Sequence, residues 1–99
     1  MKKKIVLVGA GGHAKSCIDV IELEKKFKII GLIDNYKKIG TKFLGYSIIG
    51  NDSDLEKIRK IANHAIITVG QIKNANLRKK LFLKVKKYNF KTPIISSPK

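Results

Sequence analysis

Ile5-Val6-Leu7-Val8-Gly9-Ala10-Gly11-Gly12-His13-Ala14-Lys15-Ser16-Cys17-Ile18 changes character halfway along. Its first four residues are uniformly apolar and stop at a glycine, the pattern of a strand covered on both faces. From Ala14 the apolar positions Ala14, Cys17, Ile18 and Ile21 recur at helical spacing as far as about Glu24. Between them stands G-x-G-x-x-A, with Gly9, Gly11 and Ala14 in the three set places. Such a strand–turn–helix unit suits an anion. Gly9 supplies backbone angles that a Cβ would block, Gly11 lets the main chain come close to a phosphate, and Ala14 lets the helix pack on its strand. Unpaired N–H groups at the helix start and the positive end of its dipole then face the ligand.

Outward from this turn the alternation continues. Residues 28–33 read as a second strand ending at Asp34-Asn35, and residues 36–45 as a loop with Gly40 and Gly45. Residues 46–49 read as a third strand. Ser53-x-x-Glu56 reads as a capping box opening a helix with Leu55, Ile58 and Ile61 on its buried stripe. Residues 65–69 form a fourth strand, again ended by a glycine, Gly70. A helix over 75–88 places Leu77, Leu81, Val85 and Tyr88 on one face, and residues 92–96 fit a fifth strand. The expected fold is α/β: a Rossmann-like three-layer domain with a short parallel sheet, in the order β-α-β-β-α-β-α-β. At 99 residues one domain fits, and its stability is expected to be modest because a chain of this size buries only about 60–65 % of its unfolded surface.

In an open sheet of this kind ligands lie outside the carboxyl ends of the strands, where the strand order reverses. The first and fourth strands should flank that crevice and bring Gly9–His13 towards Gly70–Asn74. Asp34, at the carboxyl end of the second strand, can accept hydrogen bonds from a ribose or a base, or it can simply start a turn. His13 can donate to a phosphate or sugar oxygen, or make a local bond at the helix start. Tyr36, Tyr46 and Tyr88 suit core or rim packing better than base stacking.

Composition narrows the partners. The formal net charge is +15, all but Arg59 and Arg78 of the 22 basic residues are lysine, and no acidic side chain follows Glu56. Base readers favour arginine and strand-binding platforms interleave aromatics, so this lysine-rich chain fits a nucleotide or an acidic protein surface better than nucleic acid. The single cysteine, Cys17, excludes an internal disulfide and suits a reducing, cytoplasmic setting, where it reads as a small buried side chain. No apolar run is long enough for a signal peptide or a membrane span. No metal-ligand spacing, nucleophile elbow or Walker lysine occurs, and His64 stands alone in a packing or surface role. No metal and no catalytic residue are expected.

Four stretches together resemble the sugar O-acyltransferases of the sialic-acid O-acetyltransferase (NeuD) type and their bacillosamine N-acetyltransferase relatives. They are IVLVGAGGHAKSCIDVIE at 5–22, GLIDN at 31–35, LGYSIIGNDSDL at 44–55 and TVGQIKNANLRKKLF at 68–82. The resemblance implies an N-terminal Rossmann-like domain that binds a nucleotide-activated sugar for bacterial surface-glycan synthesis. Gly9, Gly11, Gly12 and His13 would line the phosphate and sugar site, Asp34 and Asn35 would contact the nucleoside, and Gly70 and Gln71 would close the pocket. In that family a second domain, a left-handed β-helix of hexapeptide repeats, binds acetyl-CoA and supplies the catalytic histidine. No such repeat occurs in these 99 residues, so the expectation is a substrate-binding domain without catalyst or cofactor, either a fragment or a stand-alone truncated protein. Two other readings stay open: an NAD(H)-type dinucleotide module, and a non-catalytic regulatory domain that docks on a homologous full-length transferase.

Overall fold

A computed structural model describes residues 3–10, 12–68 and 75–93. Strand β1 (Lys3–Val8) is followed by helix α1 (Gly12–Glu24) and strand β2 (Phe27–Ile33). A two-residue strand β3 (Lys42–Phe43) and β4 (Tyr46–Gly50) come next. A 3-10 turn over Asp52–Asp54 runs into the single-turn helix α2 (Leu55–Ile58), and β5 (His64–Ile67) and α3 (Ala75–Lys87) complete the described elements. The sheet order is β3-β4-β2-β1-β5. β1 is paired in parallel with both β2 and β5, and β2 in parallel with β4. The chain therefore builds to one side of β1, then crosses to the other, and the order reverses between β1 and β5.

The uninterrupted apolar run of β1 is explained by its two covered faces. Ile5 and Leu7 join Ala14, Cys17, Ile18 and Ile21 of α1 in one cluster, while Val6 and Val8 join Leu55, Ile58, Leu81 and Val85 of α2 and α3 in another. All four β1 side chains are essentially inaccessible. Each contributes about 1.5–3 kcal/mol through burial, and the alternation locks the register, because a one-residue slip would exchange the two faces.

Several local expectations shift. The stretch 36–45 is not all loop: β3 turns back antiparallel on β4 through Leu44 and Gly45, both at positive φ (53° and 88°), the geometry of a tight primed hairpin turn. Leucine is a poor residue for that conformation, which hides the turn from composition. The capping box lies two residues earlier than Ser53-x-x-Glu56. Asn51 Oδ1 accepts from the Ser53 N–H (2.8 Å), and Asp54 Oδ2 accepts from the Asn51 N–H (3.0 Å). The helix it opens is too short to carry Ile61 inward; Ile61 is 49 % exposed and Ala62 is buried in its place. β5 begins at His64, one residue early, so this histidine is a buried strand residue, edge-on to Phe27 with ring centroids 5.1 Å apart. Thr92 and Pro93 are not strand; Lys91 alone makes a bridge, to His64. The remainder of that expected strand, and the end of the fourth one at Val69 and Gly70, lie outside the described residues.

Candidate functional site

At the carboxyl ends of β1, β2 and β5 the main chain of the glycine turn is fixed from both sides. Gly9 adopts φ 120°, a conformation that L side chains rarely reach, and its N–H donates to Ile33 O at 2.7 Å. On the other side the Thr68 N–H donates to Val8 O (2.9 Å), and the fully buried Thr68 hydroxyl donates to Gly9 O (2.6 Å). Beyond the turn, α1 starts at Gly12, and His13 sits exposed in its first turn. Its first N–H groups lack partners within the helix, which gives this end of the sheet its capacity for an anion.

Asp34 closes the turn from β2. Its Oδ2 accepts from the Ala10 N–H (2.9 Å), and its Oδ1 accepts from the N–H groups of Tyr36 (2.8 Å) and Lys37 (3.1 Å). A carboxylate offers about four acceptor positions. Among the described residues three are occupied by backbone, and one, on Oδ2, has no partner. Both roles considered for this residue are thus compatible: it starts a turn and retains one acceptor at the site.

Asn35 faces a different task. Its Oδ1 accepts from the Asp52 N–H (3.0 Å), tying the end of β2 to the turn before α2. Asp52 is paired with Lys84 of α3 at 2.9 Å. The Lys84 ammonium, followed by Asn35, holds the Asp52 carboxyl below its ordinary range against the opposing effect of burial. Val8, Gly9, Ile33, Asp34, Asn35, Tyr36, Asp52 and Leu81 enclose a cavity of about 50 Å³. That volume holds one small group. Tyr36 stands at the rim, 90 % exposed.

Gly9, Asp34 and Asn35 are therefore brought together, with Gly12 and His13 at the adjoining helix start. Gly11, Gly70 and Gln71 lie outside the described residues. Thr68 and Asp52 join the site although neither was singled out for it. A threonine ending an apolar run reads as an ordinary β-branched strand residue, and Asp52 reads as a helix-start acid. No group of histidine, cysteine or carboxylate side chains that could hold a metal ion occurs among the described residues, and no helix among them is long and apolar enough to cross a membrane.

The mostly parallel sheet covered on both faces, with its glycine turn at the point of strand-order reversal, defines a Rossmann-like α/β domain. The chain belongs to the PglD N-terminal domain family, whose model matches residues 4–85. Among solved structures it is similar to a mutant perosamine N-acetyltransferase from Caulobacter crescentus in complex with CoA and GDP-perosamine. That match has 26 % identity and a TM-score of 0.74, over 88 % of this chain and 39 % of the other. It is also similar to the acetyltransferase domain of PglB from Neisseria gonorrhoeae in complex with acetyl coenzyme A, with 20 % identity and a TM-score of 0.76 over 99 % of this chain and 45 % of the other. A UDP-D-quinovosamine 4-dehydrogenase from Vibrio fischeri shares the fold at 22 % identity and a TM-score of 0.72, over 93 % of this chain and 76 % of the other. The chain thus spans less than half the length of both acetyltransferases. No curated protein sequence matches it significantly.

Proposed function

We propose that this chain is the nucleotide-sugar-binding domain of a sugar acetyltransferase that serves bacterial surface-glycan synthesis. The observation that carries the reading is the glycine turn itself. Gly9 at φ 120° and the start of α1 at Gly12 form a backbone cradle for a diphosphate, and Asp34 beside it has one acceptor position with no partner among the described residues. Family membership and the GDP-perosamine bound by the Caulobacter relative support a sugar nucleotide as the occupant.

Gly9, whose own N–H is taken by Ile33 O, shapes the turn so that Gly11 and Gly12 bring main-chain N–H groups to the phosphates, and His13 donates to a phosphate or sugar oxygen. Asp34 accepts from the nucleoside and Asn35 adjoins it, while Gly70 and Gln71 close the pocket. The domain contributes proximity: it holds a sugar amine or hydroxyl in place for acetyl transfer. It contributes no catalytic residue, and acetyl-CoA belongs to a separate β-helical domain. A cytoplasmic setting fits the supply of both substrates.

Calorimetric titration with UDP-, GDP- and CMP-activated sugars, NADH and acetyl-CoA, at low and high salt, tests this assignment. One sugar nucleotide should bind saturably at both salt concentrations, and acetyl-CoA should not. A Gly11→Val variant that keeps its circular dichroism spectrum should lose that binding, because the branched side chain blocks the phosphate approach. Unchanged affinity in the folded variant, or saturable binding of NADH alone, overturns the reading.

A further inference from the structure

The opposite pole of the sheet carries a second recess. It lies where β1 and β5 begin, about 20 Å from the glycine turn given six strand residues at ~3.3 Å each. Lys3, Lys4, Lys60 and Lys91 line it together with Asn63 and His64, around a volume of about 410 Å³. The four lysines come from three separate parts of the chain: the start of β1, the turn after α2 and the segment after α3. All four are exposed, none has a hydrogen bond or ion pair from its ammonium group among the described residues, and no carboxylate lines the recess.

The Asn63 amide also presents donors. Arg59 Nη1 donates to Asn63 Oδ1 at 2.6 Å, which occupies the acceptor end of that amide and leaves its NH₂ end free. Arg59 is itself held by the carbonyl of Asn89 at 3.2 Å, so the orientation is braced by the α3 end of the chain. His64 is buried, with 7 % residual exposure, and its Nδ1 has no hydrogen-bond partner among the described residues. Burial, and after it the charges of Lys3, Lys91 and Arg59, push its imidazole below 6.5.

We propose that this amino-terminal pole is a second anion site, which takes a small polyanion of the diphosphate class independently of the glycine turn. Four unpaired ammonium groups around one recess repel one another, and a multivalent anion converts that repulsion into attraction. The recess is open and roomy enough for two linked phosphates, and four separate ammonium groups match a diphosphate's several charges better than an orthophosphate's. Free pyrophosphate and the diphosphate of a nucleotide share this chemistry.

The test is a titration of the ¹⁵N-labelled chain with inorganic pyrophosphate at physiological ionic strength, followed by amide chemical shifts. Saturable shifts should appear at Lys3, Lys4, Lys60, Asn63 and Lys91, and the His64 imidazole should titrate at higher pH in the bound form as the positive field is cancelled. Lys60→Gln combined with Lys91→Gln should weaken binding on the order of tenfold, whereas Lys25→Gln combined with Lys38→Gln should leave it unchanged. Repetition with UDP separates a nucleotide from free pyrophosphate: shifts at the lysine recess in both titrations mean that the diphosphate is what is recognised. Non-saturating shifts spread over all lysines, shifts confined to Gly9, Ala10 and Asp34, or equal loss in the two double variants overturn the proposal. Because the two poles are read by different amides, its failure is distinguishable from failure of the sugar-nucleotide assignment.

Discussion

Asp34 Oδ2 accepts a hydrogen bond from the backbone N–H of Ala10 at 2.9 Å, so the end of β2 holds the turn that follows β1. The Ala10 side chain is buried and the bond is partly shielded from water, which raises the cost of losing it. Asp34→Ala removes the acceptor for three N–H groups, two of them exposed and able to turn to solvent. A loss of about 1–3 kcal/mol in folding stability is expected by urea denaturation. Asp34→Asn keeps one oxygen for the turn at Tyr36 and should cost less. Both variants should weaken sugar-nucleotide binding, and full affinity in Asp34→Asn would remove this residue from the site.

The Thr68 hydroxyl performs the matching task from the other side, donating to Gly9 O at 2.6 Å in a fully buried position. Thr68→Val preserves shape but leaves a buried carbonyl without its donor. About 1–3 kcal/mol of destabilisation is expected. Thr68→Ser, which keeps the hydroxyl, should recover most of the hydrogen-bond contribution while giving up a methyl group. Equal thermal stability of Thr68→Val and the parent would show that the bond contributes nothing net.

His64 sets an acid limit. Its folded-state pKa lies below the unfolded value of 6.5, through burial first and the nearby Lys3, Lys91 and Arg59 charges second. As pH falls through 6.5 the unfolded chain takes up the proton before the folded one does, so stability should decline below that pH. His64→Leu keeps an apolar side chain against Phe27 and removes the titration. The difference in melting temperature between parent and variant should therefore depend on pH below 6.5 and level off above it. A constant difference would show that this histidine does not titrate differently on folding.

Tyr46 sets an alkaline one. Its hydroxyl donates to Glu22 Oε2 across the α1–β4 contact. That hydrogen bond, then burial, then the carboxylate charge push the phenol from 10.0 up to about 12. A raised folded-state pKa means that the contribution is complete below pH 10 and is lost between pH 10 and about 12. Ultraviolet titration should find one tyrosine ionising late, and Glu22→Ala should return it towards 10. Three tyrosines titrating together in the parent would count against the bond.

Much of this architecture is readable along the chain. Ile5–Val8 and the spacing of Ala14, Cys17, Ile18 and Ile21 announce strand, turn and helix, because burial on both faces makes a strand uniformly apolar and burial on one face gives a helix its 3.6 period. The switch between β1 and β5 follows from the alternation of elements. The hairpin at Leu44-Gly45 was not readable, since leucine accepts its positive φ only when the paired strands hold it there. The capping box sits two residues before Ser53-x-x-Glu56, because several polar side chains compete for that turn. Geometry selects Asn51 and Asp54, whose side chains reach the free N–H groups.

By itself, then, the sequence determined the layered α/β plan, the position of the glycine turn and the presence of an acid at the end of β2. These depend on local periodicity and on residue types whose backbone preferences act within a few positions. Tertiary structure alone decided how Asp34 divides its acceptors, that Thr68 reaches Gly9 across 59 residues, and that lysines from three separate parts of the chain surround one recess. Those relationships arise when strands far apart in sequence are placed about 4.8 Å apart in the sheet, and no local pattern encodes which side chains then meet.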